Sequence, residues 1–248
     1  MRADERFGTI PCMARASAKR FGDRDALVDG DVRLTFVDVE RGMVAVARSL
    51  LASGVQRGDR VAVWAPNSAT WVLAALGLQA VGAWLVPLNT RLKGEEAAYI
   101  LRTTDARTLF VADGFLGIDY VEALRAAGPD LAALDDVVVV PPPTEAASPT
   151  WAAFLERGDA VPVEQVDEAL AAGGSDDVSD VIFTSGTTGL PKGVMLRHGA
   201  SLRGYGIWSD RFVLNGESRY VIPTPFFHCF GYKAGWMSSL MAGAMAIP

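Results

Sequence analysis

The chain has 248 residues, of which 50% are hydrophobic, 21% charged and 9% aromatic. That composition is enough to bury a sizeable core and excludes a disordered chain. A formal net charge of −6 argues against nucleic acid as a partner, because phosphate backbones are met by basic patches.

The N-terminal stretch MRADERFGTIPCMARASAKRFGD has no apolar leader-like region, so no secretory signal is expected. ALVDGDVRLTF reads as a hairpin turning at Asp29-Gly30. Thr35 is placed to cap a helix through FVDVERGMVAVARSLLASG, with Asp38 as its capping-box partner and Gly54 closing the far end. DRVAVWA follows as a strand. WVLAALGLQAVGAWLVPL, from Trp71 to Leu88, has Gln79 as its single strongly polar residue. A membrane span is weighed against a buried helix to about Gly82 followed by a buried strand WLVPLN. Gly77, Gly82 and Pro87 interrupt the run, and Asn67, Ser68 and Thr70 offer N-caps; the second reading is favoured and no transmembrane span is expected.

GEEAAYILRTTDA then reads as a helix, RTLFVAD as a strand, VEALRAAG as a short helix and DDVVVV as a strand. PPPTEAASP (Pro141 to Pro149) and AAGGSDD (Ala171 to Asp177) read as surface connections. After Asp177 come a strand VSDVIFT, a glycine-rich loop, a helix from about Gly199 to Trp208, a strand RYVIPT, an apolar helix over GWMSSLMAG and the start of a strand at AMAIP. The alternation predicts an α/β fold, mostly parallel sheets covered by helices. Cys12 and Cys229 form no disulfide or zinc pattern and are expected to be reduced.

The loop is TSGTTGLPKG, Thr184 to Gly193. It follows an apolar strand, where open α/β sheets place their ligand sites. Gly186, Gly189 and Gly193 permit backbone angles closed to other residues and let the main chain approach a ligand. Successive N–H groups can form an anion-binding concavity there. Ser185, Thr187 and Thr188 add short hydroxyls, and Lys192 adds one mobile positive charge. These residue types suit a triphosphate. The Walker pattern G-x-x-x-x-G-K-S/T does not fit, because Pro191 precedes Lys192 and Gly193 follows it. A surface hairpin rich in turn formers is the alternative, and the full ten-residue string after a buried strand weighs against it.

TSGTTGLPKG resembles the signature phosphate loop of the adenylate-forming superfamily, which contains acyl-CoA synthetases, luciferases and peptide-synthetase adenylation domains. TPFFHCFG, Thr224 to Gly231, resembles that family's aromatic-histidine motif at the acyl pocket. RVAVWAPNSATWVLAALGLQAVGAWLVPLNTRL resembles its N-terminal subdomain, so the resemblance spans essentially the whole chain. It implies that Thr184, Ser185, Gly186, Thr187, Thr188, Gly189, Lys192 and Gly193 hold the ATP phosphates, with Thr184 near Mg²⁺. It also implies that Phe226, Phe227, His228, Gly231 and Tyr232 border the carboxylate substrate, and that Lys192 and His228 take part in catalysis. A turn histidine satisfied by its neighbours is the other reading of His228. His198 lacks the aromatic context and is expected at the surface, at a helix start. Tyr232 and Lys233 are open between facing the acyl site and, for Lys233, facing solvent.

The implied activity is two-step: a carboxylic acid and ATP give an acyl-adenylate, and coenzyme A then takes the acyl group. The family's later motifs, for adenine, ribose, hinge and the catalytic lysine of the small C-terminal domain, do not occur up to Pro248. The expectation is therefore an N-terminal portion of the enzyme fold, incomplete at its C-terminus, with a first subdomain over 1–172 and the start of a second over 173–248. DVSDVIFTSGTTG and PFFHCFGYKAG are most similar to fatty-acid-type synthetases, and among these to actinobacterial ligases for steroid-derived propanoates. A non-catalytic remnant is the alternative. An amino-acid adenylation domain is another, disfavoured because no aspartate stands between Arg211 and Pro248 to meet an α-amine. The expected location is the cytoplasm; the oligomeric state is left open.

Overall fold

The computed structural model describes residues 1–112, 114–128, 134–142, 148–184 and 190–248. Before the hairpin stand two helices that the sequence reading does not assign, α1 (Ala3–Phe7) and α2 (Ile10–Phe21). The hairpin is as expected: β1 (Asp25–Asp29) pairs antiparallel with β2 (Val32–Thr35). Thr35 caps α3 (Phe36–Ala52), and its own N–H donates to Asp38 Oδ2 at 3.0 Å, a complete capping box. β3 (Arg60–Trp64), α4 (Ala69–Ala80), β4 (Trp84–Pro87), α5 (Gly94–Thr104), β5 (Thr108–Ala112), α6 (Tyr120–Ala126) and β6 (Asp136–Val140) follow in the expected alternation.

Two further helices were not anticipated, α7 (Pro149–Glu156) and α8 (Val163–Ala172). Ser148 caps α7, so Pro149 belongs to its first turn and not to the preceding connection. Likewise Ala171 and Ala172 finish α8. The chain continues with β7 (Val178–Thr184), β8 (Lys192–Arg197), α9 (His198–Arg211), β9 (Arg219–Val221), a π-helix over Phe230–Met237, α10 (Ser238–Ala242) and β10 (Met245–Ile247).

The strands form two sheets, one of order β2-β1-β10-β9 and one of order β6-β5-β3-β4-β7-β8. Pairing is parallel except for β1 with β2 and β7 with β8. Strands from the stretch after residue 172 enter both sheets: β7 and β8 extend the larger one, β9 and β10 the smaller.

Helix α4 lies between the sheets, touching β1 on one side and β3 and β4 on the other. Its residues are apolar around the whole circumference, and all but one of them are buried, as expected of a helix covered on every face. Ser68 Oγ accepts the Trp71 N–H at 3.1 Å, and buried Asp29 accepts the Ala69 N–H at 2.9 Å, so the helix start is satisfied inside the core. Gln79 Nε2 donates to the Ser179 carbonyl at 3.0 Å and to the Tyr232 hydroxyl at 2.7 Å. Among the described residues no helix is long and apolar enough to cross a membrane.

His198 begins α9, as expected, but it is buried rather than at the surface, with 3% exposure. Its Nδ1 accepts the N–H of Ile10, the first residue of α2, at 3.2 Å. A helix start has N–H groups without intrahelical partners, and here an imidazole supplies the acceptor. Burial pushes its pKa down to about 3, against the pull of Asp177. The folded state thus holds His198 neutral, whereas the unfolded chain protonates near pH ~6.5. Its stabilisation is full above that pH and is lost as pH falls from there toward about 3. Urea unfolding at a series of pH values should show the parent losing up to about 1.4 kcal/mol per pH unit through this group, and His198→Gln should flatten that loss. Equal slopes for parent and variant would remove the assignment.

Candidate active site

Strand β7 is buried along its middle and emerges at Thr184, which is exposed. β8 returns antiparallel beside it, an element absent from the sequence reading because KGVMLR is short and nearly wholly exposed. The register places Lys192 opposite Thr184 and Gly193 opposite Phe183. The two ends of the glycine-rich loop are therefore cross-strand neighbours. Ser185, Gly186, Thr187, Thr188 and Gly189, expected at the phosphates, lie outside the described residues. Gly193 has a packing reason as well: a Cβ there would stand 2.9 Å from Val181 Cγ1 and 3.1 Å from Phe183 Cζ.

The second wall comes from the turn after β9. Its conformation is held by Asn67, which precedes the Ser68 cap of α4. Asn67 Nδ2 donates to the carbonyls of Ile222 at 3.2 Å and Thr224 at 3.0 Å, and its Oδ1 accepts the Phe226 N–H at 2.7 Å. Phe226 and Phe227 consequently part company. Phe226 is buried edge-on against Trp71, ring centroids 5.4 Å apart. Phe227, half-buried, and His228, exposed, turn outward. Gly231 sits behind the turn, where a Cβ would lie 2.3 Å from the carbonyl oxygens of both Thr224 and Pro225, so only glycine allows the π-helix to start there. Tyr232 is also behind the turn, fully buried, stacked on Trp236 at 4.9 Å. Of the residues expected at the substrate, Phe227 and His228 reach the cleft, while Phe226, Gly231 and Tyr232 support it from inside.

The cleft between the two walls has a volume of about 860 Å³, and Thr184, Leu190, Pro191, Phe227, His228 and Cys229 line it. Tyr99 and Ile100 of α5 close one side, and the Tyr99 hydroxyl donates to the Pro191 carbonyl at 3.4 Å. His228 Nδ1 accepts the Phe230 N–H at 3.2 Å, which leaves Nε2 to carry the ring proton of the neutral imidazole. Burial pushes the Cys229 thiol up, which keeps it protonated and a poor nucleophile. Lys233 takes neither of the orientations considered from sequence. It is buried, with Nζ 2.9 Å from Asp180 Oδ1.

Residues 14–248 match the family model described as AMP-binding enzyme. The chain belongs to the AMP-binding enzyme family. A relative from Rhodococcus jostii, a 3-(7a-methyl-1,5-dioxo-octahydro-1H-inden-4-yl)propanoyl:CoA ligase, is 40% identical over 97% of this chain and 47% of its own length. A solved structure of the N-terminal domain of FACL13 from Mycobacterium tuberculosis superposes with a TM-score of 0.82 at 27% identity, covering 97% of this chain and 56% of that one. The anthranilate CoA ligase AuaEII in complex with anthranoyl-AMP gives a TM-score of 0.82 at 26% identity, covering 100% of this chain and 46% of its own. The chain spans about half the length of the curated relatives it matches. Its fold is thus that of the N-terminal part of the adenylate-forming enzymes, as the motifs implied.

Asn67, Tyr99 and Asp180 were not singled out as site residues from sequence. Nothing in local spacing marks them, since each acts on a segment far along the chain. Replacing Asn67 by Ala removes three hydrogen bonds to one turn and should cost more than about 2 kcal/mol, read by thermal or urea unfolding. A loss under about 0.5 kcal/mol would show that the turn holds itself.

Proposed function

We propose that this chain is the phosphate-holding and acid-receiving part of an AMP-forming acyl-CoA ligase for a polycyclic carboxylic acid. The observation that carries it is the shared cleft: Thr184, at the end of the strand leading into the glycine-rich loop, faces the same space as Phe227 and His228. A carboxylate held on the aromatic-histidine side would meet a triphosphate held on the loop side. The lining is mostly apolar, and its volume suits a compact ring system with one charged end. The name of the Rhodococcus relative favours a bicyclic propanoate with ring oxo groups over an unbranched fatty acid.

In the first step a carboxylate oxygen attacks the α-phosphorus of ATP, the bond to the β-phosphate breaks, and pyrophosphate leaves. In the second the thiol of coenzyme A takes the acyl group and AMP departs. Lys192, on the first residue of β8, would neutralise the β- and γ-phosphates, and the hydroxyls and amides of Ser185, Gly186, Thr187, Thr188, Gly189 and Gly193 would cradle them. His228 would donate from Nε2 to the carboxylate, fixing its orientation while leaving the attacking oxygen unprotonated. Among the described residues no group of three or more His, Cys, Asp or Glu could hold a metal. Mg²⁺ would be held largely by substrate phosphates and water, with the exposed Thr184 hydroxyl as this chain's own contribution. Bound Mg²⁺ would supply charge neutralisation of the phosphates. Such a reaction belongs in the cytoplasm, where ATP and coenzyme A are available, and in the handling of lipid-derived acids.

The test is pyrophosphate release from Mg-ATP, by the 248-residue chain and by a form extended to the length of its relatives. The panel is a bicyclic propanoic acid with ring ketones, a fatty acid and an amino acid. The extended form should respond most to the bicyclic acid, and Lys192→Ala should slow it by roughly a hundredfold. Unchanged turnover in that variant would remove Lys192 from its role. Silence from both forms with every acid would make the loop an inherited shape rather than working chemistry.

A further inference from the structure

Behind the cleft lies an ion pair that neither wall exposes. Asp180 is 0% and Lys233 1% exposed, and Nζ stands 2.9 Å from Oδ1. Lys233 Nζ also donates to Ser201 Oγ of α9 at 2.7 Å. The Ser179 hydroxyl lies 2.6 Å from Asp180 Oδ1 and 3.0 Å from the Leu196 carbonyl of β8, and gives its one proton to either. The backbone carbonyl of Lys233 accepts from Ser238 Oγ at 2.8 Å, which fixes the π-helix against α10. Burial pushes the Asp180 carboxyl up, and the ammonium beside it pulls against that shift.

Stability does not explain such a pair. Removing two charges from water costs about as much as their attraction returns, and well-packed apolar residues of similar volume usually do as well. Asp180 Oδ2 has no protein partner among the described residues, so even the hydrogen bonding is incomplete. What an ion pair has and an apolar contact lacks is direction: one geometry is strongly preferred over neighbouring ones. The location gives that direction a use. Asp180 is on β7, four positions before Thr184 at the cleft. Lys233 is on the π-helix whose start carries the turn with Phe227 and His228. Gln79 also joins the two walls, bonding the Ser179 carbonyl and the Tyr232 hydroxyl.

We infer that Asp180 and Lys233 are positioning residues that lock the strand presenting Thr184 to the helix presenting Phe227 and His228, and so fix the width of the cleft. The role rests on the proposed function, because the width matters only if the two walls hold two halves of one reaction. In that reaction a carboxylate oxygen must reach the α-phosphorus in line, and small misplacements are costly.

The experiment uses the double variant Asp180→Leu/Lys233→Met, which leaves no lone buried charge, in the extended, active form. Thermal unfolding should remain cooperative and close to the parent. Amide hydrogen exchange without ligand should quicken together in Val178–Thr184 and Phe230–Met237. In pyrophosphate release kcat should fall at least tenfold, with KM for ATP changing less than threefold. Ser201→Ala, which removes one Lys233 partner and no charge, should move both readouts the same way by a smaller factor. It also keeps the test decisive if the double variant does not fold. Parent-like exchange in both segments and parent-like kcat would overturn the inference. The exchange result stands without any turnover, so if the parent itself releases no pyrophosphate, the proposed function fails while the locking contact is still judged.

Discussion

Everything at the cleft depends on burying one helix that has no polar face. Helix α4 must be covered on all sides, and here helices α2, α3 and α8 together with strands of both sheets cover it. That position leaves its single strongly polar side chain, Gln79, without water. Gln79 finds its partners on β7 and the π-helix, the two elements that run to opposite walls of the cleft. Trp71, two turns earlier on the same helix, packs edge-on against Phe226, Tyr232 and Trp236. The central helix thus acts as a common reference for both walls, through one amide and one indole ring.

The features legible in the sequence were those fixed by near neighbours. The Asp29-Gly30 hairpin, the Thr35–Asp38 capping box and the strand before the glycine-rich loop each declare themselves within a few residues. So did the division of Trp71 to Leu88 into helix and strand, because Ser68 and Gly82 bracket the helix. The amphipathic α2 and α8 are readable in principle from their periodicity. β8 was not readable in that way: it is exposed on both faces and owes its form to the ladder with β7.

Within the site the limit was direction. His198 serves Ile10, 188 positions away, and no local pattern encodes that. Lys233 follows the aromatic-histidine motif, but nothing near it in sequence points to Asp180, which is one of many acids. Phe226 and Phe227 are adjacent and chemically identical, but Asn67 fixes the turn so that one enters the core and the other the cleft. Motif matching names such residues together; only tertiary hydrogen bonds sort them.

The two walls are held in different ways, and the difference has a consequence for binding. The turn wall depends on side chains, above all Asn67, whereas the loop wall depends on a backbone ladder that pairs Lys192 with Thr184. Ladder bonds are indifferent to side-chain identity, so the strands can carry glycine, threonine and lysine where chemistry wants them. The ladder also brings the two ends of the loop together before any ligand arrives. The closure entropy of a loop is incurred once, when its ends meet. Here it falls on folding, with the strands' own pairing to offset it. Whatever the segment between these ends does, its two ends are set by the fold and not by a partner.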